Sequence, residues 1–314
     1  MNIEYVEPLS RAWSRMKKAL FQPFDLRKWF VVGFTAFLAG LTDFTGGGGN
    51  GMRRHENLDW DEFLEFPQRA FEWLGDHPGW LILIVAGTVF LLTLFVVLTW
   101  LSSRGKFMFL DNVVHDRTLV AAPWSEFRRE GNSLFLWRLG FGFLALLTVG
   151  FYLYGSFASL ARLYHRTGDT ELLLAPAIWM LLGFFGILLL VCFIDFLLTS
   201  FVVPIMYRHR LTVNRGWSRF LELFSSHPWP IIVFALFVLV LIIPVVFAVI
   251  VGGFMTCCVG FVILAIPYIG SVVLLPVHYL FRALSVEFLE QFGPEYRIFP
   301  VTPPVPPGGE LHVP

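Results

Sequence analysis

Three charged side chains follow long uncharged stretches of this sequence at almost the same spacing. Asp195, Arg104 and Arg282 each lie 22 to 24 residues after the residue that opens the stretch. A helix rises about 1.5 Å per residue, so each charge lies about 33–36 Å from that start. The hydrocarbon of a bilayer is about 30 Å thick, so all three reach one depth at its edge. A lone charge there is costly, and we predict that Asp195 pairs with Arg104 or with Arg282.

A fourth group, Asp111, lies seven residues beyond Arg104 on the same helix face and is predicted to join this cluster. Two interpretations of the cluster remain open. It is either a headgroup or proton site at the inner mouth of a helical bundle, or a structural ion pair that holds three helices in register.

Motifs for catalysis are missing from the sequence. There is no Gly-x-Ser-x-Gly, no His-Glu-x-x-His, and the glycine run at Gly46–Gly49 is not followed by Gly-Lys-Ser/Thr. Asp59 opens a pattern that resembles a calcium loop, but Phe63 and Ala70 stand where ligands are required. We expect no catalytic residues, no metal site, no cofactor and no enzymatic activity.

The elements that carry the charges are apolar enough for lipid. Leu172–Ile194 is 23 residues long and Pro228–Phe281 is 54, and neither contains Asp, Glu, Lys or Arg. Only 15% of the chain is charged, against about 25% in globular domains. The sequence therefore predicts an all-α, polytopic membrane helical bundle with interfacial amphipathic helices.

Six membrane spans fit the apolar pattern. They are Trp29–Thr42, Trp80–Ser103, Leu139–Ala161, Leu172–Ile194, Pro230–Val251 and Gly260–Phe281. The first has only 14 residues, so it is either a tilted or extended span or a re-entrant segment. We favour a span, because an odd number of crossings would place the later loops on sides that disagree with their charge.

The basic residues are distributed unevenly between the two sides. Residues 1–28, 104–129 and 208–219 hold 15 Lys and Arg, and the three opposite loops hold five. Lys and Arg collect on the cytoplasmic side of membranes, so both termini are predicted to be cytoplasmic, in the cell inner membrane. The predicted divisions are a cytoplasmic amphipathic segment (1–28), a six-span domain (29–292) with an acidic outer loop (43–79), and a disordered, Pro-rich cytoplasmic tail (293–314).

An internal repeat accompanies the basic segments. Arg117–Phe127 and Arg210–Phe220 share the pattern Arg-x-x-Val-x-x-x-Trp-Ser-x-Phe at an offset of 93 residues, and a weaker copy begins at Trp13. The pattern suggests three units, each with a short inner helix followed by two spans. Trp13, Trp124 and Trp217 are predicted to anchor these helices at the interface; lipid-headgroup recognition is the alternative role.

Three strings resemble a known group of proteins: RGKFMFLDNVV (104–114), FVVPIMY (201–207) and QFGPEY (291–296). They resemble an uncharacterised family of bacterial multi-pass membrane proteins, distantly similar to the membrane domain of glycerophosphodiester phosphodiesterases. The resemblance covers most of the chain except the acidic loop and the tail. It implies a membrane fold and no activity, because the catalytic barrel of those enzymes is absent.

Two functions are consistent with the sequence. The first is a non-catalytic membrane protein that supports membrane or envelope lipid and protein organisation; its partners would be membrane lipids and an unidentified membrane protein, with no nucleic acid. The second is a transporter or lipid-moving protein with an inner-side polar site around Asp195, Arg104 and Arg282. A water-accessible cavity bordered by Asp195 would favour the second function, and a packed bundle would favour the first.

Overall fold

The computed structural model describes residues 3–43, 73–167 and 171–300, and this part of the chain is helical without strands. The α-helices are α1 (Val6–Phe21), α2 (Leu26–Gly40), α3 (Pro78–His115), α4 (Ala121–Glu126), α5 (Arg128–Thr167), α6 (Leu174–Leu197), α7 (Val203–His209), α8 (Val213–Ser226), α9 (Pro228–Met255), α10 (Val259–Ala265), α11 (Pro267–Val273) and α12 (Leu275–Leu289). A π-helix (Leu198–Val202) joins α6 to α7, and short 3-10 helices lie at Glu171–Leu173, Glu290–Phe292 and Pro294–Tyr296.

Four of the described helices are long and apolar enough to cross a membrane: α3, α5, the continuous Leu174–His209 helix and α9. A fifth candidate is the pair formed by α11 and Leu275–Phe292, which is bent by 65°. The predicted all-α fold is confirmed, but the count of six spans is not. The predicted span Trp29–Thr42 is not among the candidates, because α2 has 15 residues and is only about 22 Å long.

The predicted span Gly260–Phe281 is divided into three helices for a local reason. Ile266 is extended, with φ −77° and ψ 111°, and Pro267 opens α11. A residue before proline avoids the helical region, so the helix is interrupted here. Pro276 lies at the start of α12, where its missing N–H costs no helical hydrogen bond.

Helix α2 runs antiparallel to the second half of α3. The Lys28 ammonium lies 2.8 Å from Asp116, and the Ser102 hydroxyl donates to the Ala39 carbonyl at 2.8 Å. The backbones approach closely at Gly105, where an added Cβ would lie 2.6 Å from the Leu38 carbonyl carbon. Helix α2 therefore lies beside residues 102–115 of α3, and not beside the apolar residues 80–101.

The core of the protein is concentrated at one end of the long helices. We call this end the helical platform; it comprises α1, α2, residues 102–115 of α3, α4, α7, α8 and α12. Phe201 stacks on Phe220 at 5.5 Å and Phe234 stacks on Phe288 at 4.0 Å, and all four are buried. The three basic segments of the sequence belong to this platform and thus lie at the same end of the molecule.

The amphipathic helix α1 packs on protein. Its buried residues, including Ala12, Met16 and Leu20, belong to the core, and Arg15 forms an ion pair with Glu287 of α12. Helix α12 therefore covers the face of α1 that carries Ala12, Met16 and Leu20, whereas Trp13 is exposed.

The tail is folded up to Pro300. Ile298 and Phe299 are buried, and both backbone N–H groups donate to Glu290 Oε1, at 2.7 and 2.6 Å. The predicted disordered tail therefore does not begin at Gly293; residues 301–314 lie outside the described residues. Most of the predicted acidic loop, 44–72, also lies outside them.

The two closest copies of the repeat have similar geometry. A residue in the left-handed region ends the preceding helix in both cases: Asp116 (φ 51°) stands just before the first copy, and Arg210 (φ 52°) is the first residue of the second copy. Each then forms a helix, α4 or α8, and buries its last phenylalanine, Phe127 or Phe220. The positive-φ residues are 94 positions apart and the repeat offset is 93, so the turns are similar but not in register, and the repeat stays a prediction.

Candidate functional site

An ion network lies where the long helices enter the platform. Lys106 of α3 is 0% exposed, and its ammonium lies 2.9 Å from both carboxylate oxygens of Asp43. It also donates to the Thr199 hydroxyl at 3.2 Å. Asp43 follows α2 and Thr199 lies in the π-helix, so this one side chain connects three elements.

Arg138 of α5 connects the two acidic residues of the network. Its Nη2 lies 3.2 Å from Asp43 Oδ1 and 3.5 Å from Asp195 Oδ1, and its Nη1 donates to the Ser102 hydroxyl at 3.1 Å. Asp195 thus has Arg138 as its ion-pair partner among the described residues, and not Arg104 or Arg282. The sequence contained the signal, because Arg138 immediately precedes the uncharged stretch 139–161, just as Asp195 immediately follows the uncharged stretch 172–194.

Arg282 of α12 reaches the network through the π-helix. Its Nη1 donates to the Thr199 carbonyl at 2.7 Å, and its charge also acts on Asp43. A π-helix interrupts the regular hydrogen-bond ladder and is often found at functional sites. Here it presents a carbonyl and a hydroxyl from one residue to two buried cations, Arg282 and Lys106.

Arg104 and Asp111, the other two residues of the predicted charge cluster, lie outside the network. Arg104 donates from Nε and Nη2 to the Asn132 side-chain oxygen, at 3.3 and 3.0 Å. Asp111 accepts from the Tyr207 hydroxyl at 2.7 Å and contacts His115 at 3.1 Å. Asp111 is about 10 Å farther along α3 than Arg104, which places it in a separate polar cluster inside the platform.

The three tryptophans predicted as interfacial anchors occupy different environments. Trp13 on α1 is 55% exposed. Trp124 is partly exposed and meets Trp100 edge-on at 5.5 Å. Trp217 packs against Trp137 at 5.5 Å, and in the described part of the chain its Nε1 is buried without a hydrogen-bond partner. An anchoring role for all three stays a prediction.

The network has an excess of positive charge. Lys106, Arg138 and Arg282 face Asp43 and Asp195, which gives three positive charges against two negative ones. The side chains of Asp43 and Asp195 are 32% and 36% exposed, whereas the cations are buried. Residues 3–43, 73–167 and 171–300 contain no group of three or more His, Cys, Asp or Glu side chains that could hold a metal ion.

Two large grooves lie away from this network. One, of about 970 Å³, separates α5 from α6 and is bordered by Tyr152, Ser156 and Trp179. The other, of about 370 Å³, lies between α1, α9 and α12 and is bordered by Trp13 and Pro244. Asp195 borders neither groove, and both are lined mainly by apolar side chains.

The described residues define a helical protein of a particular class, in which four or five helices suited to crossing a bilayer emerge from one packed, ion-paired platform. The chain belongs to a family of unknown function, DUF7544, which matches residues 3–294. This agrees with the predicted uncharacterised family. No curated protein and no solved structure matches the chain, so the distant similarity to the membrane domain of glycerophosphodiester phosphodiesterases stays a prediction.

Proposed function

We propose that this chain is a non-catalytic, multi-pass protein of the cell inner membrane that organises membrane lipids or other membrane proteins. The observation that carries the proposal is the contrast between the two ends of the long helices. Their platform ends are closely packed, whereas the most apolar 18-residue windows of α3 and of Leu174–His209 are 0% buried within the protein. Such apolar surface is stable only against lipid or another apolar partner.

The proposed topology has six crossings and places both termini in the cytoplasm. The platform collects the basic segments 1–28, 104–129 and 208–219, as expected for a cytoplasmic face. Residues 3–43 end at the platform, because Asp43 contacts Lys106, whereas α3 begins at Pro78 about 40 Å away along its axis.

Reconstitution into proteoliposomes tests this proposal. We expect the protein to retain particular lipids or a membrane protein partner through detergent extraction, as detected by native mass spectrometry. We also expect that it moves neither a fluorescent lipid nor a small solute across the bilayer. Rapid lipid movement that is lost in Asp195→Asn would contradict the proposal.

A lipid-moving function is the second candidate. It is favoured by two carboxylates, Asp43 and Asp195, that are about one third exposed beside buried cations. The π-helix next to Asp195 is the kind of irregular backbone that membrane proteins tolerate where it lines a protein interior or cavity. Loss of movement in Asp195→Asn, with no loss in Asp76→Asn near the opposite end of α3, would support this function.

A further inference from the structure

Arg104 is a buried cation without an acidic partner in the part of the chain that the structure describes. The residue is 7% exposed, and its side-chain hydrogen bonds within the described residues go to a neutral amide, Asn132. Another cation, Arg128, lies one helical turn before Asn132 on α5 and adds to the positive charge around Arg104. A buried, unneutralised charge is strongly unfavourable. The arrangement therefore calls for an anion from outside the described residues.

The surroundings of Arg104 form a defined pocket for its guanidinium group. Cζ lies 4.6 Å from the centroid of the Trp100 ring and 4.8 Å from that of Trp124. Gly131 gives the side chain room, because a Cβ at that position would lie 2.9 Å from Arg104 Cγ. Both indole rings are themselves partly exposed, so the guanidinium group lies close to the protein surface.

The depth of this pocket identifies the available anion. Arg104 lies 24 residues after Trp80 in one continuous helix, a distance of about 36 Å. The hydrocarbon is about 30 Å thick and the bilayer with its headgroups about 40–45 Å, which places Arg104 at the level of the headgroups. Tryptophan rings are typical of this level. The most abundant anion there is the phosphate of a lipid.

We propose that Arg104 and Arg128, between Trp100 and Trp124, bind the phosphate of an anionic phospholipid in the leaflet next to the platform. A guanidinium group presents paired N–H donors that match phosphate oxygens. Arg104 Nη1 has no hydrogen bond among the described residues, and Arg128 is exposed at the start of α5. This inference rests on the membrane placement in the proposed function, and it assigns the lipid class and the site.

Native mass spectrometry of delipidated protein tests the site, with phosphatidylglycerol or phosphatidylcholine added back. We expect Arg104→Gln and Arg128→Gln each to weaken phosphatidylglycerol binding about tenfold, the loss expected for one charge-assisted hydrogen bond. The matched control is Arg129→Gln, which removes the same charge from the next, exposed residue and should change binding less than about twofold. The phosphatidylglycerol affinity of Arg104→Lys should fall between those of the wild type and Arg104→Gln, because lysine keeps the charge but lacks the paired N–H donors of the guanidinium group.

Several results would overturn the inference. One is equal binding of the two lipids by the wild type; another is equal binding of phosphatidylglycerol by Arg128→Gln and Arg129→Gln. Displacement of the lipid by inorganic phosphate alone would instead identify a site for the free anion. Because Arg128 is on the surface, Arg128→Gln should fold, so its lipid binding tests the site even if Arg104→Gln does not fold. A protein that retains no lipid of either kind would contradict the proposed membrane function itself, which is a distinguishable result.

Discussion

Replacing Lys106 with methionine removes the central cation of the network and keeps the volume and apolar stem of the side chain. Breaking a buried ion pair by removing one partner costs about 3–5 kcal/mol. Two features of the structure reduce that value. Arg138 remains 3.2 Å from Asp43, and the Asp43 side chain is 32% exposed, so part of its charge is still compensated. We expect a loss of about 2–3 kcal/mol.

The complementary change should be more damaging. Asp43→Asn leaves the Lys106 ammonium, whose side chain is 1% exposed, with a hydroxyl and an amide as its neighbours. A buried ammonium is harder to accommodate than a partly exposed carboxylate. The double variant removes both charges, so it should be more stable than the sum of the single effects predicts, by about 1–3 kcal/mol.

The assay is thermal unfolding in detergent, followed by tryptophan fluorescence, with Lys17→Met as the control on the exposed face of α1. At roughly 2–4 °C per kcal/mol, Lys106→Met should lower Tm by roughly 4–12 °C and the control by less than about 1 °C. Equal Tm values for Lys106→Met and Lys17→Met would refute the reasoning. Strict additivity in the double variant would also refute it.

Two further predictions concern packing and a buried hydrogen bond. Gly105→Ala places a Cβ 2.6 Å from the Leu38 backbone and should cost about 1–3 kcal/mol, whereas Gly87→Ala on the same helix has open space and should be neutral or slightly stabilising in the same melting assay. Tyr207→Phe removes the 2.7 Å hydrogen bond to buried Asp111 and should lower Tm by roughly 2–6 °C; an unchanged Tm would show that this bond contributes nothing.

The long apolar helices could be predicted from composition because hydrophobic length alone determines them. The stretch Leu139–Ala161 lies within α5. The stretch Leu172–Ile194 lies within the Leu174–His209 helix and the 3-10 helix Glu171–Leu173 that precedes it. Length does not determine whether a short apolar segment crosses. The stretch Trp29–Thr42 reads as a span, but packing at Gly105 and the contacts to Ser102 hold α2 beside the platform half of α3.

The site could be predicted in part. Counting residues along each span placed Asp195 and Arg282 at one depth, and both contribute to the network. Counting gives depth but not the direction of a side chain around the helix axis. For that reason it grouped Arg104 with them, although Lys106, two residues later, faces the network. The contribution of Asp43 depends on the path of α2, which no periodicity in the sequence specifies.

Accessibility of the native cysteines tests the central claim most directly. Cys257 and Cys258 are exposed at the turn between α9 and α10, at the end of the long helices opposite to the platform. With Cys192→Ser, a membrane-impermeant maleimide should label these two residues in intact cells. In a cysteine-free background, Ser125→Cys on the platform should be labelled only after lysis. Labelling of both positions from the same side, or Ser125→Cys labelled outside and Cys257 and Cys258 protected, would contradict the account.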